Sequence, residues 1–287
     1  MVQRRTEPAG ASTITSLLCL CILSALAVVG TSPAVAADEQ NWLPPGSSTE
    51  ILRNPPLELI RSDTIRDEKW LYGRLLFRSP SLLGEKAVRI GLSCNSCHSN
   101  GHVNTDFFIN GLSDRPGRVD VTHRFWQAGF DDAISNPIDI PSLRGSRDTA
   151  PYGTVNIFPT LHAFTRHVIV TEFAGPAPDS EKLESLVTYL SSLDNKELDN
   201  DQSVVKAGAD MSYLSLLRSP LEKRDSAKLR ELTDLIRSDF GRRADMTNAR
   251  IEATRRTVKG LKEITEKAAL KEYPAAITIY QKLMSDQ

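Results

Sequence analysis

Cysteine is scarce in this chain of 287 residues: there are four, and Cys19 and Cys21 both fall inside one apolar run near the start. Loss of that run would leave Cys94 and Cys97 alone, which excludes a framework of structural disulfides even in a compartment that permits one. Charge of one sign is lacking too. The 35 lysines and arginines against 36 acids give a net charge of −1, no electrostatic footprint for nucleic acid or a strongly anionic surface. No second long apolar run follows the first, so nothing in the body of the chain reads as a membrane span. Internal repeats are absent. What remains, 40% hydrophobic and 25% charged, is ordinary globular composition.

The N-terminus is the first positive signal. Arg4-Arg5 precedes a run without charge whose apolar part extends from Ile14 to Val29, and Thr31-Ser32-Pro33-Ala34-Val35-Ala36 ends in small residues at the −3 and −1 positions. This pattern predicts a secretory signal peptide over residues 1–36. Thr6-Glu7-Pro8 makes the twin arginines a poor Tat signal, and Leu18 makes Leu17-Leu18-Cys19 a poor lipoprotein site. The alternative is an uncleaved N-terminal membrane anchor, for which the run is barely long enough. The expected location is periplasmic, with no membrane span in the mature chain and no nucleic-acid partner.

The chemistry centres on Ser93-Cys94-Asn95-Ser96-Cys97-His98-Ser99. Cys-x-x-Cys-His is the attachment signature of a c-type haem. Its spacing lets two thiols reach the two vinyl groups of one porphyrin, and the next residue then lies beneath the iron. Two other readings use the same cysteines. A thioredoxin-type pair sits at a helix start within a βαβ unit, which Lys86 to Ser93 does not resemble. A zinc site needs further Cys or His with partner spacing, and the mature chain has no other cysteine. The expectation is one covalent haem c, with Cys94 and Cys97 as its attachment points and His98 as the iron ligand.

Around the motif the sequence predicts an all-α fold. Residues 37–63 form a Pro-rich lead-in, read as an extended strap over the surface. Thr64 to Phe77 predicts a first helix capped by Asp63, with Ile65, Trp70, Leu71 and Leu75 on its apolar face; Arg78-Ser79-Pro80 ends it. From Gly101 to Pro159 the chain is rich in Gly, Pro, Asp and Asn. A loop this long is uncommon in a packed domain, but a haem would supply the apolar surface for it to wrap. Thr160 to Val170 predicts a short helix. From Ser180 onward, Leu183, Leu186, Val187 and Leu190 predict the closing helix of a haem domain over 64–196, packed on the first. Residues 197–287 read as a charged helical extension, a hairpin or small bundle. Ser219-Pro220-Leu221-Glu222 reads as a capping box; Leu229, Leu232, Ile236 and Phe240 mark one helix, Ile251 to Ile264 a second, and Pro274 the break before a third. From Asp201 to the end, 17 lysines and arginines face 13 acids. These charges suit either solvated helix faces or a dock for an acidic redox partner.

A family resemblance extends the reading. Leu75-Leu76-Phe77-Arg78-Ser79-Pro80, the Cys-x-x-Cys-His motif, Asp106-Phe107-Phe108-Ile109-Asn110-Gly111-Leu112, Pro141-Ser142-Leu143-Arg144-Gly145 and Thr149-Ala150-Pro151-Tyr152 succeed one another. Thr160-Leu161 through His167 and Val187-Thr188-Tyr189-Leu190 continue the series. It resembles the C-terminal haem domain of bacterial dihaem cytochrome c peroxidases and their methylamine-utilisation relatives, over about residues 64–194. The resemblance implies a cytochrome c-like domain similar to the electron-relaying half of those enzymes. This chain has one motif where the family has two, and no methionine follows the Pro-Tyr block: Tyr152-Gly153-Thr154-Val155-Asn156-Ile157-Phe158 stands there instead. Methylamine-utilisation relatives use a tyrosine oxygen as second axial ligand, which keeps Tyr152 open beside His167 or no ligand at all; His102, His123 and His162 are weaker choices. Arg115, Arg118, Arg124 and Arg144 could anchor haem propionates through bidentate contacts. The leading expectation is a single-haem carrier of electrons between periplasmic redox proteins or to a dehydrogenase, or a subunit of one. The alternative is a peroxidase-like enzyme reducing hydrogen peroxide at an open sixth position.

Overall fold

The computed structural model describes residues 48, 51, 54–196, 203–204, 209–241 and 248–286. The expected signal peptide, most of the lead-in and Met246 fall outside them. The described chain is mostly helical. Strand is confined to two antiparallel ladders of two residues each: Leu59–Ile60 on Ser203–Val204, and Arg118–Val119 on Ile138–Asp139.

The first helix, α1 (Glu68–Phe77), starts later than its apolar pattern suggests. Asp67 caps it, accepting from the Trp70 amide at 2.9 Å. Asp63 does not cap; its carboxylate is taken by Arg61 and Arg147, and Ile65 is left 79% exposed outside the helix. The lead-in departs from expectation as well. Its described part does not stay on the surface, because Glu58, Leu59 and Ile60 are buried. Two short helices follow, α2 (Gly84–Ile90), stopped by left-handed Gly91, and α3 (Cys94–Cys97), a single turn.

The segment 101–159 holds only 3-10 turns and the second ladder. After it, α4 (Leu161–His167) is capped by Thr160 and widens into a π turn over Val168–Glu172. The closing helix α5 (Ser180–Ser192) is capped by Asp179 and buries Leu186, Val187 and Leu190.

Helices α1 and α5 pack directly on each other. A Cβ built on Gly73 would stand 1.9 Å from the Ser185 carbonyl oxygen, so the two backbones touch where glycine permits it. Trp70 and Phe77 flank that contact with rings 5.7 and 5.1 Å from Tyr189, and Trp70 Nε1 donates to Ser192 Oγ at 2.8 Å.

The C-terminal helices share this core. Tyr213, Leu214 and Leu217, from a 3-10 stretch over Ala209–Leu217, are buried with Leu75 and Phe77, and the same cluster continues into the later helices. The expected capping box at Ser219 does not form. The 3-10 stretch runs straight into α6 (Arg218–Glu222), and Arg224, at φ 56°, interrupts the helix. Asp225 caps the next helix instead, accepting from the Lys228 amide at 2.9 Å. Then come α7 (Ser226–Phe240), α8 (Asn248–Ala269) and α9 (Tyr273–Ser285), the last with Pro274 in its first turn. Several charges of α8 pair along its own surface, Arg255 with Glu252, Lys259 with Glu263 and Lys262 with Glu266. Such pairs mark a solvated face and contribute only tenths of a kcal/mol each.

The contact of α1 with α5 yields a direct test. Gly73→Ala forces two helix backbones apart and is expected to cost about 3 kcal/mol in denaturant unfolding. Gly129→Ala, where an added Cβ meets nothing within 4 Å, should stay within about 0.5 kcal/mol of wild type. Equal effects at the two positions would contradict the packing described.

Candidate functional site

The motif turn is built by short-range capping. Ser93 precedes α3 in an extended conformation, and its amide donates to Ser96 Oγ at 3.0 Å. The Cys94 carbonyl accepts from the His98 amide at 2.9 Å, closing one turn that carries both thiols and the imidazole. Three asparagines then lock the turn. Asn104, fully buried, donates from Nδ2 to the Ser96 carbonyl at 2.8 Å and from its amide to the Cys97 carbonyl at 2.9 Å. Asn95 Oδ1 accepts from the Asn100 amide at 3.0 Å. Asn100 takes a left-handed φ of 51° and reaches Pro56 through its side chain. Gly101, at φ 87°, lies where a Cβ would strike Leu193 at 2.9 Å.

His98 is oriented by one bond. Its Nδ1 lies 2.9 Å from the Pro141 carbonyl oxygen. A carbonyl only accepts, so Nδ1 carries the proton and Nε2 keeps a free lone pair. Burial lowers the His98 pKa to about 4, outweighing the opposing effect of the Pro141 bond, so the imidazole is neutral at ordinary pH. The Pro141 carbonyl is itself held on both sides. Before it, Ile140 donates to the Gly117 carbonyl at 3.0 Å, beyond the Arg118–Val119 ladder; after it, the Leu143 amide donates to the Gly101 carbonyl at 2.9 Å. Arg144 follows and ties the block to the end of α5 through the Asp194 and Lys196 carbonyls.

Cys94 and Cys97 are unpaired and half-buried. Desolvation pushes the Cys94 thiol up to about 12 and the Cys97 thiol higher still. A redox-active Cys-x-x-Cys needs a lowered thiol pKa, and these surroundings do the opposite. Among the described residues, no group of three or more His, Cys, Asp or Glu gathers to hold a metal ion.

Other residues singled out from the sequence find protein partners. The Tyr152 hydroxyl donates to the Ser146 carbonyl at 2.8 Å. His167 Nε2 lies 3.5 Å from Glu172 Oε1, and its ring packs on Phe158 and Phe130. Burial raises that Glu172 carboxyl to about 7. His102 Nε2 donates to the Leu57 carbonyl, and His123 Nδ1 accepts from the Phe125 amide. Arg115 pairs with Asp139, and Arg144 is used as above. Arg118 reaches the Pro137 carbonyl and the carboxylates of Asp114 and Asp139, yet its buried Nε makes no hydrogen bond. Arg124 is exposed.

Behind the turn lies a buried ion network that the sequence reading missed. Glu58 takes a forked contact from Arg74 at 2.6–3.0 Å and a 2.7 Å bond from the Tyr189 hydroxyl. Arg74 also reaches Tyr213, while Arg78 lies 3.7 Å from Glu58 and donates to Asn100. The lead-in, α1, the motif exit, α5 and the C-terminal segment are therefore joined in one network around this carboxylate. A cleft of about 690 Å³ near Leu76, Val88 and Leu235 lies apart from the motif. Its rim charges are already paired, Glu231 with Lys182 and Asp234 with Arg237.

Compared with known proteins, the chain matches no family model, no curated protein and no solved structure.

The network sets a pH dependence. Burial alone would raise the Glu58 pKa, but Arg74 and the further contacts prevail and hold it at about 2 against an ordinary 4.5. Between those values the unfolded chain binds more protons, so the contribution is complete above the ordinary carboxylate range and is lost as pH falls toward 2. Denaturant unfolding should show about 2 kcal/mol lost through this group between pH 6 and pH 3. Glu58→Gln, less stable throughout, should lack that increment. The same acid loss in both proteins would contradict the assignment.

Proposed function

We propose that this chain is a single-haem c-type cytochrome, with Cys94 and Cys97 holding the haem as thioethers and His98 Nε2 facing its iron. The observation that carries the reading is the His98–Pro141 bond, which leaves the imidazole neutral, oriented and with its lone pair on the outer nitrogen. Metal-ligating histidines are commonly fixed in this way, through the second ring nitrogen.

Three further observations fit the group. Both thiols are free. The loop segment leaves Phe108, Phe125, Ile134, Ile138, Val155 and Ile157 exposed, apolar area of the kind a porphyrin would cover. The order of helix, motif, long loops and a closing helix packed on the first supports the reading of a cytochrome c-like domain. Bound covalently, the haem supplies a one-electron iron couple. The protein's part is to hold His98 neutral and immobile, to keep both thiols on one rigid turn, and to exclude water with the loop segment. The reading places the mature chain in the periplasm, exchanging single electrons with a soluble redox protein or a dehydrogenase.

The test is retention of haem through denaturation. Protein produced with export and haem-attachment functions should carry haem stain on a denaturing gel, and Cys94→Ala with Cys97→Ala should abolish it. Stain that survives the double substitution, or that is absent from wild type, would falsify the proposal.

A further inference from the structure

The second face of the iron is the point on which the family resemblance and the structure part. A tyrosine oxygen is a strong ligand as tyrosinate, which needs donors around the oxygen. Tyr152 has the reverse. Its hydroxyl donates to the Ser146 carbonyl at 2.8 Å, a bond that exists only while the phenol keeps its proton. Desolvation, and then the charge of Asp148 on the same turn, hold its pKa above the ordinary value. The residue is also locked in place. Its backbone exchanges two bonds with Phe158, at 2.8 and 3.2 Å. Its ring stacks on Phe164 at 6.1 Å with planes 9° apart. Carrying the oxygen to a metal would break the Ser146 bond and unstack the ring from Phe164.

Among the described residues, most of the other candidate side chains are engaged as well. His167 is packed between Phe130 and Phe158 and faces Glu172; His123 has its Nδ1 lone pair on a backbone amide. His102 sits in the turns that leave His98, bonded to Ser99 and to Leu57. His162 is exposed in the first turn of α4, and Met284 packs in the C-terminal core.

We infer that Tyr152 is a strut fixing the loop from Ser146 to Phe158, not an axial ligand, and that the second axial position is left to a small ligand from solution. This rests on the haem reading above.

The test compares full-length wild-type and Tyr152→Phe holoproteins, each first checked for covalent haem by its pyridine haemochrome spectrum. Tyr152→Phe should keep the wild-type ferric absorption and paramagnetic-resonance spectra while losing about 2–4 °C in Tm with the strut's hydrogen bond. Cyanide should shift the ferric Soret band of both with equal affinity. A changed ferric spectrum in Tyr152→Phe, or a wild-type spectrum indifferent to cyanide, overturns the inference and leaves the haem reading standing. Should Tyr152→Phe not fold, the cyanide titration of wild type decides. Wild type without covalent haem overturns both.

Discussion

The bond from His98 Nδ1 to the Pro141 carbonyl is the constraint on which the site depends. Residues 43 apart in sequence meet there at 2.9 Å, and the contact decides the tautomer, the ring orientation and the nitrogen that remains free. It is useful only because the carbonyl cannot move. The short ladder of Arg118–Val119 with Ile138–Asp139 fixes the chain before Pro141, and the Leu143–Gly101 bond fixes it after. A segment with almost no regular structure is thereby given one rigid point, where the chemistry needs it.

Behind that point the fold is a contact of two helices joined by buried charge. Packing α1 on α5 at Gly73 brings Trp70, Phe77 and Tyr189 together; Glu58 ties the lead-in to the same place, and its partner Arg74 ties in Tyr213. Buried ion pairs gain little over apolar packing, because desolvation offsets their attraction. Their effect here is connective: breaking one partner leaves a charge without compensation, so five separate segments must be in place together. The C-terminal helices are part of this arrangement through Tyr213, Leu214 and Leu217.

Much of this was legible in the sequence. The local spacing of Cys94, Cys97 and His98, the period of Leu183 to Leu190 and the loop composition after Gly101 each report a short-range preference that the fold keeps. What was not legible depended on partners far along the chain. Asp63 and Asp67 are equally good caps by type; the helix starts at Asp67, and Asp63 pairs with Arg61 and Arg147 instead. Ser219 fails as a cap because a 3-10 stretch already runs into its helix, which no local pattern announces. Glu58 reads as one more charge in a polar lead-in until Arg74 and Tyr189 surround it. Pro-Ser-Leu-Arg could be noticed as a block, but the role of its Pro141 carbonyl is a tertiary fact.

The central claim is that both cysteines of this turn carry one haem, and it is best tested on the peptide itself. Protein purified from an exporting host is digested without reduction, and the fragment spanning Cys94 to His98 is weighed and sequenced. The account predicts a single fragment heavier by one haem, with neither cysteine open to alkylation. A fragment of unmodified mass with both thiols alkylated, from cells that attach haem to a control cytochrome, would contradict it.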